Sequence, residues 1–140
     1  MDCISKEEFL KQPKEIQRIF NEWENDNMED IDLFDYTGKD PSYKNKFPQI
    51  VKYVDFECFG DELVQLMSEN QLRRFIEDNT KKKISSMLIL EGNRDYLITL
   101  GNYQLEGTPM FGFKEYQTNT KNLLEAYWQV ALKIAKNENT

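Results

Sequence analysis

Apolar positions along the chain fall into blocks of two different periods. In "ISKEEFLKQPKEIQRIFNEW" the residues Ile16, Ile19, Phe20 and Trp23 lie at i, i+3, i+4 and i+7, the spacing of one helical face. Ser5 with Glu8 forms a capping-box pattern, and Pro13 suits the first turn of a second helix, so two short helices or one bent helix are predicted. "SENQLRRFIEDNT" repeats the logic, with Ser68 and Gln71 as cap and Leu72, Phe75 and Ile76 as the buried edge. The last block, "TNTKNLLEAYWQVALKIAKNENT", carries Leu123, Leu124, Tyr127, Ala131 and Ile134 as a wide stripe after an Asn119 or Thr120 cap.

Elsewhere the period shortens towards two. "FPQIVKYVDFECF" reads as a strand ending at Gly60, and "EDIDLFDY" as a brief one. Over residues 84–116, "ISSMLILEG", "DYLITLG" and "MFGFKEY" are separated by turn signals at Gly92-Asn93, Gly101-Asn102 and Thr108-Pro109, an antiparallel meander. No internal repeat is present. The pattern predicts a single α+β domain over 1–140. Its antiparallel sheet of about three to five strands follows an N-terminal helical segment, and a long C-terminal helix packs on it through Leu124, Tyr127, Trp128 and Ala131.

At 140 residues such a domain buries roughly two-thirds of its unfolded surface, so no covalent staple is needed. Cys3 and Cys58 lack the spacing of a disulfide framework or a CxxC site and fit a reducing compartment. No apolar run approaches bilayer length and the N-terminus has no signal-like segment, so a cytoplasmic location and no membrane contact are expected.

Charge changes the picture more than composition does. Residues 22–40, "EWENDNMEDIDLFDYTGKD", hold eight carboxylates and one lysine, a local charge of −7 that equals the net charge of the whole chain. Such a segment repels nucleic acid and favours a basic partner. In an extended chain Asp30 and Asp32 project on one face roughly 6–7 Å apart, close to the spacing of neighbouring phosphates. Apolar residues are threaded between the acids, as in interaction hot spots. The candidate partner-binding set is therefore Trp23, Glu24, Asp26, Glu29, Asp30, Asp32, Phe34, Asp35 and Tyr36. A plain solvated loop is the competing reading.

Other chemistry is weakly signalled. The chain has no histidine, which removes the commonest general base, and it has no phosphate-binding glycine loop. No catalytic residue, metal ligand or cofactor is read, and a non-enzyme is expected. Asp30, Asp32 and Asp35 fail the EF-hand pattern, because the fifth position of a loop starting at Asp30 is Phe34. The basic run Arg73, Arg74, Lys81, Lys82 and Lys83 is offset by Glu77 and Asp78 at i, i+4, against direct nucleic-acid binding. Tyr96, Tyr103, Phe111, Phe113 and Tyr116, with Arg94 or Lys114, form a second candidate: an aromatic pocket for a nucleotide.

Three blocks, "ISKEEFLKQPKEIQRIFNEW", "SENQLRRFIEDNT" and "LLEAYWQVALKIAK", together resemble small, mostly uncharacterised proteins encoded by phages and prophages of low-GC Gram-positive bacteria. The resemblance covers about a third of the chain. It departs at "EWENDNMED", where members of that group typically carry a second tryptophan and a proline. It implies a helical frame presenting a variable β and loop surface, in accessory genes of the kind that include inhibitors of host defence. The expected function is a non-enzymatic, anti-CRISPR-like inhibitor in the cytoplasm of the bacterial host, binding a basic nucleic-acid-binding effector. The alternatives are a sponge for a nucleotide immune signal and a structural or regulatory phage protein. A second copy of the chain is a further allowed partner.

Overall fold

The computed structural model describes residues 2–27, 32–44, 46–50, 62–89, 94–101 and 114–138. These form two compact units, one of Cys3–Met67 and one of Ser68–Thr140 with Met1–Asp2. The fold is α+β, and its described strands divide between two three-stranded antiparallel sheets.

In the Cys3–Met67 unit, α1 (Lys6–Leu10) starts where Ser5 Oγ accepts from the Glu8 amide at 3.2 Å. Pro13 precedes α2 (Lys14–Asp26), so the N-terminal segment is two helices. Ile16 and Phe20 are buried, and Phe20 meets the Phe9 ring edge-on at 6.3 Å. The sheet has the order β2-β1-β3, with β1 (Leu33–Tyr36) central, β2 (Gln49–Ile50) very short, and β3 (Leu63–Leu66) buried throughout. The register pairs Phe34 with Gln65 and Tyr36 with Leu63. A one-turn helix, α3 (Pro41–Lys44), follows β1. Tyr36 stacks on Phe47 at 5.7 Å and tilts against Tyr43 at 5.6 Å. Its hydroxyl accepts from the Asp40 amide at 3.1 Å, closing a tight loop over Gly38. A Cβ at Gly38 would collide with the Tyr36 ring and hydroxyl, which explains a glycine there.

In the other unit, α4 (Glu69–Thr80) begins with the full Ser68/Gln71 capping box and buries Leu72, Phe75 and Ile76. Its end is turned by Lys81 in the left-handed region, φ 58°. The meander is present as β4 (Lys83–Ile89), β5 (Tyr96–Gly101) and β6 (Lys114–Gln117), with β5 central and a register shift between Ile84 and Ser86. Among the described strands β6 is at the edge of its sheet, with Tyr116 buried and Lys114, Glu115 and Gln117 exposed. The last helix, α5 (Leu123–Glu138), packs on α4 and β5. It buries Tyr127, Trp128 and Ala131 as expected, whereas Leu124 is only half-buried. Its cap is Asn122, whose side chain accepts from the Glu125 amide at 3.0 Å; Thr120 in turn accepts from the Asn122 amide at 3.1 Å. Both residues expected to cap the helix lie upstream of that position, and Asn119 instead pairs its side chain with Gln129 at 2.6 Å.

Candidate binding groove

Helix α2 carries two stripes. Ile16 and Phe20 define the inward one, and Glu24, four residues beyond Phe20, continues it at a position where a further apolar residue would be expected. Beside it, Lys14, Gln17, Arg18 and Asn21 form a polar stripe at i, i+3, i+4 and i+7. These face a groove of about 590 Å³ whose other wall includes Phe34 of β1 and Gln65 of β3. Phe34 and Gln65 are directly opposed in the antiparallel register, and opposed residues share a sheet face.

The polar groups in this groove are not all satisfied. Gln17 is locked, its amide donating to the carbonyls of Gln12 at 2.8 Å and Leu10 at 3.3 Å. Arg18 lies 4.0 Å from Glu22 in an exposed pair. Glu24 Oε1 and Gln65 Oε1 are buried without a hydrogen-bond partner, each in a residue only 5% exposed. Burial pushes the Glu24 carboxyl well above its ordinary range, and the nearby Asp32 carboxylate pushes it further. An unpaired buried charge is costly, so retaining the proton is the cheaper state.

The expected acidic surface is correspondingly divided. Asp26 is exposed, while Trp23 and Asp35 are half-buried, the Asp35 carboxylate accepting from the Tyr36 amide at 2.8 Å. Glu24, Asp32, Phe34 and Tyr36 are buried and do not present a docking face. The reason is periodicity: Asp32, Phe34 and Tyr36 alternate onto one side of an extended segment, and in the central strand that side is the inner one. Glu29 and Asp30 lie outside the described residues. Among the exposed acids nearby are Glu22 and Asp40, which the candidate set omitted.

Gln65 and the α2 amides were also missed. Gln65 is a lone polar residue in the short apolar run "LVQLM", which gives no periodic signal. Glu24 did have one, its place in the Ile16–Phe20 stripe.

For the aromatic pocket, Tyr96 is half-buried and Tyr116 buried, with Lys114 Nζ 5.1 Å from the Tyr116 ring centre. Tyr103, Phe111 and Phe113 lie outside the described residues. Arg73 pairs with Glu77 at 3.3 Å and Lys83 with the same carboxylate at 3.5 Å. Among the described residues no group of three or more Cys, Asp or Glu side chains is placed to hold a metal ion. No helix among them is long and apolar enough to cross a membrane.

No protein-family model, curated protein or solved structure matches the chain.

Proposed function

We propose that the protein is a phage-encoded, non-enzymatic inhibitor that occupies a basic, nucleic-acid-binding component of a bacterial defence system, of the anti-CRISPR kind. The observation that carries this reading is the concentration of the chain's entire net charge of −7 in residues 22–40. Glu22, Asp26 and Asp40 are exposed there, with Asp35 half-exposed beside them. Charge of this kind steers association with an oppositely charged surface and sets specificity more than affinity.

The test is biological. The chain is expressed in a low-GC Gram-positive host with active CRISPR immunity against a test phage. Plating of that phage should recover, and Glu22→Gln, Asp26→Asn and Asp40→Asn together should reverse the recovery without lowering thermal stability, because exposed charges contribute little to folding. No recovery of plating, or recovery indifferent to the triple variant, overturns the proposal.

A further inference from the structure

We propose that the groove flanked by α2 and β3 is a receptor for a guanidinium group, an arginine side chain, with Glu24 and Gln65 as its acceptors. Both side-chain oxygens are buried, unpartnered and part of the groove lining. Native proteins leave few such atoms unmatched, because each forfeits its hydration without replacement. A partner that brings donors would match both, and a cationic one would displace the proton that Glu24 otherwise retains.

The arrangement narrows which donor. Glu24 stands on a helix and Gln65 on a strand, so a single group that matched both would have to serve acceptors from two elements. A planar guanidinium offers five N–H donors in a fixed fork, whereas an ammonium is a compact point charge. Asp32 acts on the Glu24 carboxyl from the residue preceding β1, so the local field favours a cation over a neutral amide. Neither described cation in the groove lining takes the place. Arg18 is drawn to Glu22, and Lys14 lies ten residues before Glu24, roughly 15 Å away along the helix axis. The Phe9 and Phe34 rings in the lining offer apolar surface for the methylene stem of an arginine.

The proposal rests on the reading of a basic partner only for where that arginine comes from; the groove's preference can be measured without the partner. The probes are arginine amide, lysine amide and citrulline amide, titrated into the full chain with heat of binding and thermal shift as readouts. Arginine amide should bind and raise the melting temperature, with citrulline amide, its neutral isostere, and lysine amide at least about tenfold weaker. Glu24→Gln and Gln65→Met should each weaken arginine amide about tenfold or more while the chain stays folded. Asp26→Asn with Asp40→Asn, both outside the groove lining, should leave arginine amide binding unchanged, which separates the groove from the exposed acidic face. Absence of arginine amide binding overturns the proposal. So does an equal response to citrulline amide or lysine amide, or full binding by both groove variants.

Discussion

Among the described residues, the buried polar ones in the unit from Ser68 onward are threonines, Thr99, Thr118 and Thr120, whereas in Cys3–Met67 they are Gln17, Glu24, Asp32 and Gln65. Threonine is short and close to the backbone, so its hydroxyl is readily matched. Thr118 donates to the Tyr96 carbonyl at 2.7 Å and Thr120 to the Glu125 carboxylate at 3.0 Å. The longer groups of the first unit reach further and end partly unmatched at Glu24 and Gln65. The Ser68–Thr140 unit also buries one acceptor without a hydrogen bond, Glu77 Oε2, but Lys83 lies 3.5 Å from it as an ion-pair partner. Glu24 and Gln65 have no such cation among the described residues, and groups that oppose folding are the ones to examine for binding.

The largest test of this contrast is in the apolar unit. Phe75 is fully buried on α4, and Phe75→Ala should cost about 3–5 kcal/mol in denaturant unfolding. Half-buried Leu124 should cost clearly less on replacement by alanine. A small effect at Phe75 would remove the apolar unit's claim to be the tighter one.

Next in size are two changes in the other unit. Gly38→Ala should destabilise by about 1–3 kcal/mol, because the added methyl displaces the Tyr36 ring from its stack with Phe47. Glu24→Gln should do the opposite, stabilising the chain by about 1–3 kcal/mol near neutral pH. Burial, and then Asp32, raise the folded-state pKa of Glu24 above its ordinary 4.5, so above that pH the native chain binds more protons than the unfolded one. The stability associated with protonated Glu24 is intact below 4.5 and is lost as pH climbs through the raised value. The advantage of glutamine should therefore vanish in acid and grow towards neutrality. Urea unfolding of both proteins across that interval measures it, and a gain independent of pH would mean that Glu24 is not the titrating group. The smallest effect is at the α4 cap, where Ser68→Ala should cost about 1 kcal/mol by thermal melting.

Local patterns were legible where a few neighbouring residues decide the outcome. The Ser68/Gln71 box and the Leu72–Phe75–Ile76 edge are a single helical turn read twice, and the three strands of the meander were read from their apolar runs, whereas the expected turns at Gly92-Asn93 and Thr108-Pro109 lie outside the described residues and Gly101 is the last residue of β5. What escaped is set at longer range. β3 is four residues long and buried on both faces, so it lacks the alternation that marks a half-buried strand. Its pairing with β1 is also what separates the strands into two sheets, and no local pattern encodes a partner so distant in sequence. Of "FPQIVKYVDFECF", Gln49 and Ile50 are strand, and residues 51–59 lie outside the described residues. For the site, density of charge was visible but its direction was not, because this stretch includes part of a helix and the central strand, and Glu24 on the one and Asp32 beside the other are turned inward.

The edge strand β6 has a bearing on crowding. A sheet margin with free amides and carbonyls is a template on which another chain can polymerise, and short, charged margins resist this. β6 is four residues long and presents Lys114, Glu115 and Gln117 outward, so stacking a second molecule there would desolvate two charges of opposite sign along with the backbone. At high protein concentration that margin would favour a dispersed protein over fibrils.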